Sequence, residues 1–145
     1  MNQFEQILFQ NVKYAKRLIS NRNNESIRNL FFYAEASPLE LYNHAISTMI
    51  HFSQIDFANF ETKKIESLSF NKNSPLSEQL ISCLDQMLDE FSKSMARINE
   101  RSNLGELSDF ISLNVMHTVT HIGQALRLQK INLNIPNMEE ELGND

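Results

Sequence analysis

The chain of 145 residues has the length of one domain and is long enough to bury a core. Its net charge of −5 argues against a nucleic-acid partner, because binding phosphates requires a concentrated basic surface. Three glycines and three prolines supply few of the tight turns that sandwiches, barrels and doubly wound α/β folds require. We therefore expect an all-α protein with a few long helices.

The first predicted helix covers residues 2–20, where apolar residues recur at three- and four-residue steps. The asparagine-rich run 21–24 ends it, since asparagine favours turns. Its apolar stripe consists of Phe4, Ile7, Leu8, Ala15, Leu18 and Ile19. A short helical turn is expected within residues 25–34, and its apolar residues are Ile27, Leu30 and Phe31.

The second predicted helix begins at Ser37-Pro38. Serine can cap the free amides, proline suits the first turn, and Glu40 can complete a capping box. The helix is expected to continue to about Asn59. One side of it carries Leu41, His44, Ala45, Thr48, Phe52 and Ile55. Residues 60–73 are polar and irregular, but three apolar side chains among them could pack against the bundle: Ile65, Leu68 and Phe70.

Ser74-Pro75 repeats the start signal for a third helix, which runs to about Arg101. Its apolar stripe consists of Leu80, Leu84, Met87, Phe91, Met95 and Ile98. Asn103, with Glu106 three positions later, opens a fourth helix that runs to about Lys130. The residues expected inside or near the core on this helix are Phe110, Leu113, His117, Val119, His121, Ala125 and Leu128.

Four amphipathic helices of this length predict a four-helix bundle. Residues 1–135 form the single expected domain, because Ile135-Pro136 prevents the last helix from continuing. Residues 136–145 are expected to be an acidic tail. The connections before and after the second helix are long enough to run the length of a bundle, so a simple up-down-up-down order is not required.

The sequence predicts a cytoplasmic protein with no membrane partner. No stretch approaches the ~20 apolar residues of a membrane span, and the first residues lack a signal-peptide pattern. Cys83 is the single cysteine, which excludes an internal disulfide and fits a reducing compartment.

Two histidines, His117 and His121, lie four residues apart in the most apolar stretch of the chain. On a helix they leave the same face about 6 Å apart, a spacing at which both can bind one divalent metal ion. A single histidine on an apolar face is more often a core residue. Burying two imidazoles side by side, however, costs several kcal/mol unless both are satisfied.

The second helix offers two further histidines, His44 and His51, one heptad apart. They share a face but lie roughly 10 Å apart along the helix, so both cannot bind the ion that the other pair holds. Predicted helix ends are uncertain by several residues and do not choose between them. The residues therefore indicate a three-histidine site whose third ligand is either His44 or His51.

The chain resembles the DinB/YfiT-like superfamily of small bacterial four-helix metalloproteins over nearly its whole length. The resemblance rests on His44, seven residues after the serine that starts the second helix, and on the pattern His117-x-x-x-His121-x-Gly123-Gln124. It implies an up-down-down-up bundle with a long crossover between helices two and three. It also implies His44, His117 and His121 as the metal ligands, with His51 an ordinary histidine.

The chain departs from many relatives in two respects. They have a tryptophan near the helix-two histidine and a second histidine directly beside the one matching His121, whereas this chain has no tryptophan and has Ile122 at that position. Neither change removes an implied ligand.

Three neutral imidazoles leave coordination positions for water or substrate, which is the arrangement of a catalytic site. They suit Zn, Ni, Cu or Fe, and we expect Zn or Ni. Such an ion lowers the pKa of bound water toward 7 and binds and deprotonates a thiol, which permits two reaction classes. One is hydrolysis, and the other is activation of a small thiol for attack on an electrophilic small molecule. Superfamily members resembling bacillithiol S-transferases and the mycothiol-dependent maleylpyruvate isomerase favour the thiol reaction.

No general base is evident, because Glu40 is expected to cap a helix, Tyr42 to point away from His44, and Asp56 to lie three turns beyond it. The metal itself is therefore expected to activate the nucleophile. The alternative is a non-catalytic metal-binding or helix-mediated interaction protein. A homodimer is one expectation, because family members are often dimers and the ten phenylalanines could serve an interface, although phenylalanines more often lie in the core.

Three residues near the histidine pair allow two interpretations each. Gly123, inside a helix, costs about 1 kcal/mol relative to alanine, so either a substrate or a neighbouring helix should approach it closely. Asn114 and Gln124 each lie three residues from an expected ligand and could orient it, although exposure to solvent is the commoner role of surface amides.

Overall fold

A computed structural model describes residues 2–20, 24–28, 35–55, 65–100 and 104–133. It contains five helices: α1 (Gln3–Ile19), α2 (Asn24–Arg28), α3 (Pro38–Ser53), α4 (Leu76–Glu100) and α5 (Leu104–Asn132). No strand occurs within these ranges. The predicted all-α class and bundle architecture are confirmed.

The helix α1 begins at an asparagine cap, since the side chain of Asn2 accepts a hydrogen bond from the amide of Glu5 at 2.9 Å. Its buried face consists of Leu8, Val12, Ala15, Leu18 and Ile19. The expected stripe is therefore largely correct, except that Ile7 is exposed. The short helix α2 buries Ile27, whereas the expected Leu30 and Phe31 lie outside the described residues.

The helix α3 starts as predicted and ends earlier. Ser37 Oγ accepts from the amide of Glu40 at 3.2 Å and donates to the Glu40 carboxylate at 3.2 Å. At the other end, the amide of Gln54 donates to the carbonyls of both Ile50 and His51. The amide of Ile55 donates to the carbonyl of Phe52, three residues earlier. These tighter bonds end α3 at Ser53. The expected continuation of the helix toward Asn59 was therefore wrong for residues 54 and 55, which are not helical. Residues 56–59 lie outside the description.

The connection before α4 is fixed by side-chain amides. Asn43 Nδ2 donates to the carbonyl of Leu68 at 3.1 Å, and the Leu68 amide donates back to Asn43 Oδ1 at 2.9 Å. Leu68 and Phe70 pack against the core as expected, but Ile65 is exposed. The Gln79 side chain bonds to the backbone of the residues just before α4, which holds the start of that helix.

The long helices α4 and α5 differ in how well their sequences predict the buried face. Every residue of the stripe expected on α4 is buried. On α5 the core face consists of Ile111, Val115, Thr118, Ile122, Ala125, Leu126 and Gln129. Leu113 is 64% exposed, so placing it near the core was wrong. Apolar residues surround α5 on several sides, and its sequence therefore lacks a single stripe. The predicted cap, Asn103, lies outside the described residues.

Each of α4 and α5 packs against both α1 and α3. Lys16 pairs with Asp85 at 2.8 Å, and Ser92 donates to Glu5 at 3.0 Å, so α1 runs antiparallel to α4. Arg97 donates to the carbonyl of Ser53 at 2.7 Å, which joins the C-terminal parts of α3 and α4.

The helices α3 and α5 also run antiparallel. Tyr42, near the start of α3, bonds to Gln129 near the end of α5, whereas Phe52 meets Phe110 at the opposite ends. These directions are compatible with the up-down-down-up order that the family resemblance implies. None of the described helices has the length and apolarity that crossing a membrane requires.

Candidate metal centre

Three histidines meet across the boundary between α3 and α5. Their ring centroids are 4.9 Å apart for His44 and His117, 4.7 Å for His44 and His121, and 4.5 Å for His117 and His121. One nitrogen from each ring lies within 4.8 Å of the others. The i, i+4 spacing on α5 places two rings on one face, and the antiparallel α3 supplies the third.

His44 rather than His51 joins the pair on α5. Among the described residues, the convergent group of possible ligands consists of His44, His117 and His121. His51 is half-buried and lies seven residues farther along α3, about 10 Å from His44 along the axis. The tertiary structure therefore brings His44, and not His51, next to the histidine pair on α5.

Two nitrogen atoms of this cluster are as close together as they would be on one shared divalent ion. The Nε2 atoms of His44 and His117 are 3.1 Å apart. Two imidazoles bound to one ion at zinc–nitrogen distances would have nitrogens about 2.9–3.4 Å apart, depending on the coordination angle. The observed separation lies in that range. His44 is exposed, so the cluster is open to solvent on the α3 side.

Gln124 orients one ring of the cluster. Its Oε1 atom lies 2.9 Å from Nδ1 of His121, three residues earlier on the same helix. With an amide oxygen as acceptor, Nδ1 carries the proton and Nε2 presents its lone pair, as metal-binding histidines require. The orienting interpretation of Gln124 has this contact in support. Asn114 instead donates to the carbonyl of Phe110 at 2.8 Å on its own helix.

The environment disfavours protonation of two of the rings. The His44 side chain is exposed overall, but partial desolvation of its ring, together with the neighbouring His121, lowers the pKa of His44. Burial and then the other two histidines lower the pKa of His117. A neutral imidazole is the form that binds a metal ion, so both shifts favour binding near neutral pH.

Two of the buried polar atoms that have no hydrogen-bond partner within the described residues are Nδ1 of His117, which belongs to the cluster, and Oγ1 of Thr48. Thr48 lies one turn after His44 on α3. Sequence reasoning treated Thr48 only as part of the stripe on that helix. The sequence did contain a signal that Thr48 shares a helix face with His44, because the two residues are four positions apart.

Two of the possible general bases, Tyr42 and Glu40, make hydrogen bonds away from the histidine nitrogens. The Tyr42 hydroxyl is buried and donates to Gln129 at 3.0 Å, and this burial raises the pKa of Tyr42. Glu40 accepts from the hydroxyl of Ser37 at the start of α3. Asp56 lies outside the described residues.

Gly123 is exposed, and a Cβ atom added to it would meet nothing within 4 Å. Close packing of a neighbouring described helix is therefore not the reason for this glycine. On an ideal helix Gly123 also points about 140° away from the direction midway between His117 and His121.

Comparisons with family models, with curated proteins and with solved structures found no match to this chain.

Proposed function

We propose that this protein binds a divalent transition-metal ion through His44, His117 and His121, and that it is a metal-dependent enzyme related to the DinB/YfiT-like superfamily. Its expected reaction is the activation of a low-molecular-weight thiol, or of water, for transfer or hydrolysis. The observation that carries the proposal is the convergence of three imidazole nitrogens from two helices within 4.8 Å.

The proposed chemistry depends on the coordination positions that three histidine ligands leave free for a thiol or water. An ion held by three neutral imidazoles supplies Lewis acidity and favours deprotonation of a coordinated thiol or water. Gln124 holds His121 in one tautomer, and the exposed side of His44 gives a small molecule access.

The proposal is tested by measuring metal content in protein purified without an affinity tag or added metal. We expect about one Zn or Ni per chain. A His117→Ala/His121→Ala variant should lose it because one imidazole cannot hold the ion. His44→Ala should weaken Zn binding by at least about tenfold, as loss of a direct ligand does. His51→Ala is the matched control on α3 and should retain the wild-type stoichiometry.

Absence of metal from the wild-type protein, together with no stable uptake of added Zn or Ni, would contradict the proposal. If metal is present, thiol conjugation with electrophiles and hydrolysis are the activities to screen. Retention of one Zn per chain by His44→Ala, with loss in His51→Ala, would transfer the third position to His51.

A non-catalytic protein that associates through a helix face is the second candidate. The observation favouring it is the exposure of two large apolar side chains on α5, Leu113 at 64% and Met116 at 61%. Light scattering of the metal-loaded protein tests this candidate, since a helix-mediated homodimer would have twice the mass of the chain.

A further inference from the structure

The position of the His44 side chain depends on the backbone that carries it. This side chain is exposed, whereas His117 and His121 are half-buried on α5. Packing restricts an exposed side chain less than a buried one, so the place of its backbone largely sets where the ring lies. Whether His44 meets the pair on α5 is therefore decided by where α3 lies along α5.

Tyr42, two residues before His44, bonds α3 directly to α5. It is 0% exposed, and its hydroxyl donates to Oε1 of Gln129 at 3.0 Å. Gln129 is also fully buried, and its Nε2 donates to the Leu18 carbonyl of α1 at 3.1 Å. Because the bond to α1 fixes the orientation of this amide, the acceptor that α5 offers to Tyr42 has a defined position.

The buried hydrogen bond between Tyr42 and Gln129 resists a shift of α3 along α5. A shift by one residue moves the hydroxyl by about 1.5 Å, which breaks the bond and leaves both polar groups buried without each other. Apolar side chains of similar size exchange neighbours at a smaller cost. The same shift would move Nε2 of His44 away from Nε2 of His117, which lies 3.1 Å from it, because Tyr42 and His44 move together on one helix.

Asn43, between these two residues, fixes the same part of α3 from another side. Its Nδ2 donates to the carbonyl of Leu68 at 3.1 Å, and its Oδ1 accepts from the amide of Leu68 at 2.9 Å. Two successive residues directly before His44 therefore make hydrogen bonds to parts of the chain distant in sequence. One bond leads to α5 and carries the helix that holds the histidine pair, whereas the others lead to the connection before α4.

We propose that Tyr42 is a positioning residue for the metal centre, because its hydrogen bond to Gln129 fixes the place of α3 along α5 at which His44 meets His117 and His121. This inference deepens the proposed function and rests on it. Tyr42 acts through His44, so removal of the Tyr42 hydroxyl can cost no more metal affinity than removal of the His44 imidazole itself.

Zinc titrations of the full-length protein test this role in two backgrounds. Tyr42→Phe removes only the hydroxyl and keeps the ring that packs in the core, so the helical fold should persist. We expect it to weaken zinc binding about threefold to tenfold, because the apparent affinity falls with the fraction of molecules in which His44 meets the pair. Added to His44→Ala, it should cause no further loss, since His117 and His121 lie on one helix. Equal weakening in both backgrounds, or none in either, would overturn the proposal.

Ser53→Ala is the matched control on α3. It also removes one hydroxyl of a fully buried residue, but that hydroxyl donates to the Met49 carbonyl of the same helix at 2.7 Å. Ser53→Ala can therefore lower the stability of the protein without releasing α3 from α5, and the zinc affinity should stay at the wild-type value. A loss of affinity as large as that of Tyr42→Phe would show that any buried hydroxyl of α3 has this effect, and the role assigned to Tyr42 would be wrong.

The metal-free protein separates this inference from the proposed function. Ring protons of His44 and His117 should give nuclear Overhauser cross-peaks, since the ring centroids are 4.9 Å apart. We expect these cross-peaks to weaken in Tyr42→Phe and to keep their wild-type intensity in Ser53→Ala. Undiminished cross-peaks in Tyr42→Phe would contradict the positioning role alone, whereas a wild-type protein that binds no zinc would contradict the proposed function.

Discussion

At the scale of single residues, the proposed metal site is sensitive to protonation of its histidines. His44 and His117 both have a pKa lowered by burial first and by neighbouring histidines second. A low pH should therefore weaken metal binding for two reasons. Protons compete with a metal ion for the ring nitrogens, and protonated rings repel one another.

The lowered pKa values also predict how the metal-free protein responds to acid. Both folded-state values lie below the ordinary 6.5. At a pH between the lowered folded-state pKa of each histidine and its ordinary pKa of 6.5, the unfolded chain therefore binds more protons than the folded chain. This contribution to stability is present above about pH 6.5 and is lost as the pH falls through the folded-state values. Urea unfolding between about pH 7 and about pH 5 should show a smaller loss of stability in His44→Gln/His117→Gln than in the wild type.

The control for this prediction is His51→Gln, which removes a histidine of the same helix that lies outside the cluster. An equal pH dependence in the wild type and the double variant would show that His44 and His117 do not contribute to acid sensitivity.

At the scale of elements, α5 combines a core face, a histidine face and an exposed face on one helix. Residues 111, 115, 118, 122, 125 and 129 are buried, His117 and His121 face α3, and Leu113 is exposed. The histidine pair could be predicted from sequence because it depends only on local spacing. The direction of the buried face could not, since apolar residues occur on several sides of this helix.

Gly123 provides a test of how α5 tolerates change outside its core. Because an added Cβ meets nothing within 4 Å, Gly123→Ala should stabilise the protein by about 0.5–1 kcal/mol through the higher helix propensity of alanine. Chemical denaturation measures this change, and zinc stoichiometry should stay at the wild-type value. A loss of stability would indicate that something approaches the glycine closely.

At the scale of the whole molecule, a buried polar network connects helices distant in sequence. Gln129 is fully buried; its Oε1 accepts from the Tyr42 hydroxyl at 3.0 Å, and its Nε2 donates to the Leu18 carbonyl at 3.1 Å and to Ser26 Oγ at 3.4 Å. Asn132 adds a bond to the Ser26 carbonyl at 3.0 Å. One amide thus joins α1, α2 and α3 to α5, at the end of the bundle beyond the histidines.

We expect Gln129→Met to reduce the free energy of unfolding by roughly 2–4 kcal/mol, because it leaves the Tyr42 hydroxyl and the Leu18 carbonyl buried without this partner. Tyr42→Phe should also destabilise. The double variant should cost about 1–2 kcal/mol less than the sum of the two, since it removes both members of a pair. Urea denaturation of the four proteins measures the coupling, and strict additivity would show that the hydrogen bond contributes nothing.

The sequence alone determined the helical class, the starts of α1, α3 and α4, the buried stripe of α4 and the pairing of His117 with His121. Each depends on residues within a few turns of one another, where capping and periodicity act. Only the tertiary structure decided that His44 rather than His51 meets this pair, and that Gln129 on α5 contacts α1, α2 and α3. Those relations depend on the relative axial position of helices far apart in sequence, which packing fixes and local periodicity does not.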